Sequence, residues 1–233
     1  MAVLLFIGFL TLVVTLGIYS YRQQQKRIAE LQTLASELNW AFSADYDYSF
    51  DARYPQFSQF NQGDSRYAYN TLTGGLRVGE ALYPARMGDY HYQTTSHNGK
   101  ERQTHEHYFS FLVIDLPFPA LPDLRIRREG FFDTIAGVFG FSDINFESAE
   151  FSKRFNVKSS NKKFAYDVIH PAMIEFLLAS DAPTLEIDCG QCCITHDSTT
   201  WQPSEFRARC EWTAKFFELW PRHLIADLKS RQE

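Results

Sequence analysis

Three cysteines and a histidine stand close together in the segment TLEIDCGQCCITHD, namely Cys189, Cys192, Cys193 and His196. Thiolate and imidazole groups are zinc ligands, and the C-x-x-C spacing forms half of a common structural site. A structural site usually needs a second half, whereas the remaining cysteine, Cys210, stands alone in the sequence. Cys189, Cys192 and His196 are therefore weak candidate metal ligands.

The same C-x-x-C pair could act as a redox couple. Redox motifs lie at a helix N-terminus, where the helix dipole lowers the pKa of the attacking thiol. Here the sequence instead predicts a β-hairpin that turns at Gly190-Gln191, with Cys189 opposite Cys192 and Cys193 on the other face. The pattern thus favours small residues in a half-buried hairpin, and leaves a metal site and a redox pair as alternatives.

Four histidines, His91, His97, His105 and His107, surround a second predicted hairpin. The dipeptide Asn98-Gly99 favours a two-residue type I′ turn, and it lies between two β-prone runs. This turn predicts three cross-strand pairs: His97 with Lys100, Tyr92 with His105, and Tyr90 with His107. His105 and His107 then share one face, a spacing found in metal sites. Because no acidic residue shares that face, a solvated or packed sheet surface is favoured over a metal site or a pH-sensitive contact.

A basic cluster of Arg125, Arg127 and Arg128 lies on a predicted strand. It could meet anionic lipid headgroups, although a solvated strand face is the favoured interpretation. The chain contains none of the short motifs of P-loop, dinucleotide-binding, zincin or nucleophile-elbow chemistry. We therefore predict no catalytic residue and no cofactor.

One segment could hold all of these candidate residues at a membrane. It runs from Ala2 to Tyr19, reads AVLLFIGFLTLVVTLGIY and carries no charged side chain. As a helix it would measure about 27 Å, close to the hydrocarbon thickness of a bilayer. Residues 1–20 are therefore predicted to form a transmembrane anchor. A cleaved signal peptide is disfavoured because no Lys or Arg precedes the run and no A-x-A site follows it. A core helix is disfavoured because it would show a polar face.

The positive charges that follow the apolar segment, Arg22, Lys26 and Arg27, predict that the C-terminal side is cytoplasmic. The expected localisation is a bacterial inner membrane, with a single pass, and the cysteines are expected to be reduced thiols. The net charge of -5 lacks the basic footprint that binding to nucleic acid requires.

After the anchor, the sequence predicts a juxtamembrane amphipathic helix over residues 21–39 and one soluble α+β domain over residues 40–233. Apolar residues recur every three or four positions in the helix, so its stripe either packs on the domain or pairs with a second copy as a short coiled coil. The domain is predicted to contain antiparallel hairpins covered by helices.

Several boundaries inside the domain follow from local signals. Turn residues over 70–75 predict the end of an early strand, and the apolar run over 130–141 predicts a short helix. Residues 151–160 are predicted to form a strand. Pro171 and Pro221 are expected to break or bend two helices because the proline ring removes a backbone hydrogen bond.

Residues 40–221 resemble a family of uncharacterised bacterial membrane-associated proteins, a domain of unknown function. The matching stretches are Asn70 with Thr73-Gly74, Gly88-Asp89-Tyr90-His91-Tyr92, Leu116-Pro117-Phe118, Leu124 with Arg127-Arg128-Glu129-Gly130, Ser142-Asp143-Ile144-Asn145-Phe146-Glu147, Glu150-Phe151-Ser152 with Phe155 and Val157, and Phe164-Ala165 leading to Pro171. The resemblance implies a membrane-associated α+β domain and supplies no catalytic residue. The cysteine hairpin departs from the small or apolar residues of that family, which weighs against a metal or redox role.

The sequence therefore favours a membrane-anchored, non-enzymatic binding or scaffolding module. Its expected partners are the lipid bilayer, through residues 2–19, and an unidentified protein or a second copy of the chain. The alternative is a thiol- or metal-dependent protein that uses the hairpin containing Cys189, Cys192, Cys193 and His196.

Overall fold

The computed structural model describes residues 2–98, 101–129, 144–196 and 199–230. The helices in these ranges are α1 (Ala2–Leu38), α2 (Phe50–Arg53), α3 (Ala149–Arg154), α4 (Lys162–Val168), α5 (Pro171–Ala179), α6 (Pro203–Glu218) and α7 (Arg222–Ser230), with a 3-10 helix at Ser58–Asn61. The strands are β1 (Ala41–Ser43), β2 (Asp64–Val78), β3 (Ala81–Asn98), β4 (Glu101–Asp115), β5 (Leu124–Arg128), β6 (Phe155–Lys158), β7 (Thr184–Asp188) and β8 (Gln191–Thr195).

Throughout the described residues, the strands pair antiparallel in one sheet of order β1-β2-β3-β4-β8-β7-β5-β6. The predicted α+β class and its antiparallel hairpins are confirmed. The sheet has a core on each face. On one face, helices cover side chains such as Met87 and Leu112. On the other, residues 50–60 pack an aromatic cluster against Tyr90 and Phe111.

The first long hairpin shows that the turn predicted over residues 70–75 is wrong. Strand β2 continues through this stretch and turns only at Gly79 and Glu80, because Val78 pairs with Ala81. Asn70 has a φ of 50° and lies in a register shift, so its left-handed backbone forms a bulge rather than a turn. A Cβ on Gly74 would lie 2.3 Å from Trp40 Cγ, which explains this glycine by close packing.

The second long hairpin confirms the pairing of β3 with β4 but not the predicted register. Asn98 pairs with Glu101 and Tyr92 with His107, so the connection falls at residues 99–100, which lie outside the described residues. The predicted register is therefore wrong by two residues. Since side chains alternate with a period of two, this shift leaves every side chain on its predicted face.

The helical boundaries follow the prolines. Pro171 starts α5 at its first turn and separates it from α4, whose N-cap Asn161 accepts a hydrogen bond from the Phe164 amide at 3.0 Å. Pro221 separates α6 from α7. The strand predicted over residues 151–160 is wrong in its first half, because α3 extends to Arg154 before β6 begins. The helix predicted over 130–141 lies outside the described residues.

Helix α1 has two dissimilar halves. Its side chains from Phe6 to Lys26 are exposed, whereas Leu31, Leu34 and Ala35 are buried against the domain. The amphipathic stripe thus packs on the domain, one of the two predicted alternatives. Within the part of the chain that the structure describes, no helix is both long enough and apolar enough to cross a membrane, so the span expected over residues 1–20 is not found there.

Candidate functional site

The cysteine hairpin turns one residue earlier than predicted. Cys189 and Gly190 have φ values of 50° and 72°, and Asp188 pairs with Gln191. A Cβ on Gly190 would lie 2.9 Å from the Pro119 Cα atom, so this turn position requires glycine. Cys189 therefore occupies the turn and does not face Cys192, and the pairing predicted for these two cysteines is wrong.

The other predicted ligands are separated by the sheet. Cys192 is buried in the core on the helix-covered face, whereas Cys193 is buried in the aromatic core on the opposite face. Gln59 Nε2 donates a hydrogen bond to Cys193 Sγ at 3.0 Å. His196 Nε2 lies 3.4 Å from an Asp181 carboxylate oxygen. Across the described ranges, no group of three His, Cys, Asp or Glu residues could hold a metal ion.

Burial also makes the thiols poor nucleophiles. It raises the pKa of Cys192 and Cys193 well above the ordinary value, and it raises the pKa of Cys210 to about 12. Burial and the neighbouring Asp188 raise the pKa of Cys189 as well. A reactive cysteine needs the opposite shift, because the thiolate is the nucleophile and the metal ligand.

The arginine cluster is largely used by the fold. Arg125 Nε lies 3.0 Å from Glu186 Oε1, and the two side chains are 11% and 3% exposed. Arg128 donates to the Ser180 carbonyl at 2.8 Å and lies 3.3 Å from an Asp181 oxygen. The prediction of a solvated strand face is therefore wrong for Arg125. Burial raises the pKa of Glu186 despite this arginine.

The histidines lie on different faces of the sheet. His107 stacks on Tyr92, with ring centroids 4.5 Å apart, and its Nε2 lies 2.8 Å from Thr94 Oγ1. His105 is exposed. His91 is buried on the opposite face of the strand pair and does not meet either of them. The side chain of His97 lies outside the described residues.

His91 instead belongs to a group of aromatic residues that sequence reasoning missed. Its ring stacks on Tyr67 with centroids 4.4 Å apart and lies 4.9 Å from the Tyr108 ring. His91 Nδ1 lies 3.0 Å from the Ser65 carbonyl oxygen, and Nε2 contacts the Glu106 carboxylate. Both ring nitrogens of His91 thus have an oxygen partner within the protein.

Five tyrosines form what we name the tyrosine cluster: Tyr46, Tyr48, Tyr67, Tyr69 and Tyr108. Tyr67 is at its centre, with ring centroids 4.9 Å from Tyr46, 5.6 Å from Tyr48 and 5.7 Å from Tyr69. Strands β2 and β4 present Tyr67, Tyr69 and Tyr108. The loop that carries the other two is held by a β-bridge in which the Asp47 amide donates to the Ala68 carbonyl at 2.8 Å.

A cavity of about 510 Å³ lies between this cluster and helix α1. Its lining residues are Ser20, Gln23, Gln24, Lys26, Arg27 and Glu30 from α1, and Tyr46, Tyr67, Tyr69, Asn70, Tyr108 and Gln202 from the domain. Burial raises the pKa of Tyr67 to about 12 and also raises the pKa of Tyr69 and Tyr108. These phenols therefore stay neutral near pH 7 and act as hydrogen-bond donors and acceptors.

An ion pair at the edge of the cavity fixes helix α1 to the sheet. The Arg27 guanidinium contacts both oxygens of Asp89, with Nε to Oδ2 at 2.7 Å and an Nη atom to Oδ1 at 2.6 Å. Another Nη atom donates to the Trp201 carbonyl at 3.0 Å. Burial opposes the charge of Arg27, but Asp89 outweighs this and raises the pKa of the guanidinium.

The Asp89 carboxylate is fully buried and accepts two further hydrogen bonds. Ser110 Oγ donates at 2.6 Å and Asn70 Nδ2 at 3.1 Å. A bidentate contact with these additional donors is the arrangement in which a buried carboxylate is satisfied. In the sequence, this site had one local signal, the aspartate of GDYHY. The carboxylate of Asp89 lies inside a buried strand, and a buried charge needs a partner.

The groups that line the cavity are phenols, carboxamides and charged side chains that already have partners. Lys26 lies 3.6 Å from Glu30, and Arg27 is bound to Asp89. Such groups bind a ligand through hydrogen bonds and ring contacts. The geometry thus supports recognition of a polar group next to the exposed half of α1.

The chain is similar in fold to the crystal structure of the mycobacterial trehalose monomycolate transport factor A, TtfA. The TM-score is 0.58 at 10% sequence identity, over 83% of this chain and 96% of that chain. No family model and no curated protein matches the sequence. At this identity the likeness concerns the fold alone.

Proposed function

We propose that the protein is a membrane-anchored, non-enzymatic binding module. It is attached to the bilayer through residues 2–19, which we call the apolar half of α1; the remainder of the helix is the packed half. The observation that carries the proposal is the exposure of large apolar side chains along one uninterrupted helix. The exposed fractions are 67% for Phe6, 65% for Phe9, 53% for Leu10, 56% for Leu12 and 57% for Leu16.

These side chains surround the helix on all sides and have no partner surface among the described residues. Burying each one in an apolar environment is worth about 1.5–3 kcal/mol. A contiguous exposed apolar surface of this kind marks an interaction site, and a helix that is hydrophobic all round is typical of a membrane segment. Lipid hydrocarbon is therefore the proposed environment of this half of α1.

Two further observations support the proposal. The fold is shared with a protein described as a transport factor, which is compatible with a binding role and transfers no residue. The resemblance of residues 40–221 to bacterial membrane-associated proteins points the same way, and membership of that family is part of the proposal. A protein partner or a second copy of the chain stays a prediction.

The proposal places the domain on the cytoplasmic side of a bacterial inner membrane. Arg22, Lys26 and Arg27 follow the apolar run, and positive charges are retained on the cytoplasmic side during insertion. A reporter fused to the C-terminus that works only in the cytoplasm should be active. Activity of a periplasm-specific reporter instead would reverse this orientation.

The anchor is tested by flotation of the full-length chain with phosphatidylcholine vesicles. Leu12→Asp combined with Leu16→Asp places two charges in the apolar half, each costing about 2.5–3.5 kcal/mol in hydrocarbon. The matched control, Gln32→Asp with Ser36→Asp, adds the same charges at the same spacing on exposed positions of the packed half. The wild type and the control should float, and the Leu12/Leu16 variant should not.

Neutral vesicles remove electrostatic attraction from this comparison, so flotation reports apolar insertion. Equal flotation of both double variants would contradict the proposed anchor. So would failure of the wild-type chain to float.

A further inference from the structure

The cavity beside the tyrosine cluster lies at a defined height along α1. Its helix residues run from Ser20 to Glu30 and begin directly after the apolar segment that ends at Tyr19. If the apolar half occupies hydrocarbon, the first turns after it lie in the headgroup layer, which is about 5–8 Å thick on each side. At a rise of about 1.5 Å per residue, this layer contains the end of the cavity at Ser20, Gln23 and Gln24, and the cavity opens there among lipid headgroups. This inference rests on the proposed membrane anchor.

The tyrosines around the cavity strengthen this placement. Tyr46, Tyr48 and Tyr108 are 50%, 69% and 43% exposed, and Tyr19 and Tyr21 on α1 are each 62% exposed. Tyrosine is enriched at membrane interfaces because its ring is apolar and its hydroxyl is polar. Tyr46 and Tyr108 line the same cavity as Ser20, which directly follows the apolar segment, so their rings are placed next to the anchor.

The chemistry of the lining selects among headgroups. An anionic headgroup needs an excess of positive charge, whereas the charges here balance: Arg27 is bound to the buried Asp89, and the exposed Lys26 lies 3.6 Å from Glu30. A quaternary ammonium needs rings that enclose a void, whereas Tyr46 and Tyr67 pack edge to face with centroids 4.9 Å apart. The groups left to recognise a ligand are neutral hydroxyls and amides beside the faces of tyrosine rings, and these suit an uncharged, hydroxyl-rich headgroup.

We propose that this cavity binds the uncharged, hydroxyl-rich headgroup of a membrane lipid, such as a glycosyl diacylglycerol. The ring faces of Tyr46 and Tyr108 contact its C–H surfaces, while the phenols and Gln24 exchange hydrogen bonds with its hydroxyls. The volume of about 510 Å³ lies within the range of roughly 300–1,000 Å³ usual for small-ligand sites. The acyl chains of the same lipid lie along the apolar half of α1.

The test measures which lipids stay with the full-length chain. The chain is reconstituted in vesicles of phosphatidylcholine, phosphatidylglycerol and glucosyl diacylglycerol, extracted in mild detergent, and its retained lipids are quantified by mass spectrometry. The glucosyl lipid should be enriched on the order of tenfold over its share of the vesicle. Flotation of the same sample reports the anchor separately, so failure of the two proposals can be distinguished.

The variants remove hydroxyls and keep the rings. Tyr67→Phe with Tyr108→Phe should abolish the enrichment, and Tyr46→Phe, on a surface loop, should reduce it without a risk to folding. Tyr166→Phe is the control, since this tyrosine is 49% exposed on α4, donates to the Asn145 carbonyl, and lines no part of the cavity. Enrichment that survives both cluster variants would overturn the proposal, as would a wild-type chain that floats but retains phosphatidylglycerol or no lipid preferentially.

Discussion

The two halves of helix α1 differ in sequence pattern and in surroundings. From Phe6 to Tyr21 its apolar side chains point in every direction and are exposed, whereas from Ile28 onward they form one stripe that packs on the sheet. A stripe can be covered by one protein surface, but a helix that is apolar all round needs an environment that surrounds it. The pattern of apolar residues thus decides which half belongs to the fold.

Arg27 marks the boundary between these halves. It is the first α1 side chain after the exposed run to be largely covered, and it binds the fully buried Asp89. This contact joins α1 to strand β3, 62 positions further along the chain. It therefore fixes the direction in which the apolar half leaves the domain. The predictions below run from the largest expected effect to the smallest. The first two test this division of the helix, and the other two test the same contrast between covered and exposed groups in the domain.

The largest effect is expected at the boundary contact. Asp89→Ala leaves the Arg27 charge largely buried without its partner and should lower the free energy of unfolding by about 3–5 kcal/mol. Asp51→Ala removes the more exposed pair with Arg66 and should cost about 1 kcal/mol or less. Urea denaturation of the full chain in detergent measures both. Equal costs would mean that the ion pair does not fix α1 to the sheet.

The next prediction compares a leucine in each half of helix α1. Leu31 is fully buried, so Leu31→Ala should destabilise the domain by about 2–5 kcal/mol through lost burial and a cavity. Leu12 is 56% exposed, and Leu12→Ala should change unfolding by about 0.5 kcal/mol or less. Thermal or urea unfolding provides the measurement. A large cost at Leu12 would assign the apolar half to the protein core.

The same contrast between covered and exposed side chains applies to the cysteines. Iodoacetamide should modify Cys189 in the native chain while Cys192, Cys193 and Cys210 stay protected until unfolding. Burial and Asp188 raise the Cys189 pKa, so its pH–rate midpoint should lie above about 8.5, the value of an ordinary cysteine. Peptide mass spectrometry identifies the modified sites. Native labelling of Cys192 would contradict its placement in the core.

The smallest expected effect is at Glu106, which contacts His91 beside the tyrosine cluster. Hydrogen bonds from His91, the largest cause, and from Gln93 lower the pKa of Glu106. A carboxyl group with a lowered folded pKa stabilises the protein above its unfolded value of about 4.3, and this contribution is lost as the pH falls through the folded pKa. Below about pH 4.3, the melting temperature of Glu106→Gln should therefore decrease less steeply with falling pH than that of the wild type.

The control for Glu106 is Glu80→Gln, at an exposed position in the β2–β3 turn. It should keep the slope of the wild type. A Glu106 variant with the wild-type slope would mean that the contact with His91 does not stabilise the folded state.

Local signals in the sequence were sufficient to predict much of the fold. Alternating apolar residues predicted the hairpins. Pro171 and Pro221 predicted where helices are interrupted, because proline acts on the chain at its own position. Register was harder to predict. The cysteine hairpin turns where Cys189 and Gly190 both adopt positive φ, and a cysteine gives no signal of that conformation.

The candidate site was not predicted because its parts are distant in sequence. Arg27, Asp89 and Trp201 meet only after the sheet has formed. Tyr46 and Tyr48 reach Tyr67 from a loop that one β-bridge holds, and no spacing rule indicates that contact. The cysteines, by contrast, are close in sequence but point to opposite faces of the sheet. Spacing along the chain therefore identified a chemical motif that the fold separates.

The depth of α1 in a bilayer tests the account most directly. In a Cys189→Ser chain, a spin label is placed at Val13→Cys or at Thr33→Cys, two exposed positions in the two halves of the helix. Collision rates with oxygen, which partitions into lipid, and with a nickel chelate, which stays in water, are measured in phosphatidylcholine vesicles. The label at position 13 should collide with oxygen and be shielded from nickel, and the label at position 33 should show the reverse. Equal access of nickel to both labels would contradict a membrane-anchored first half.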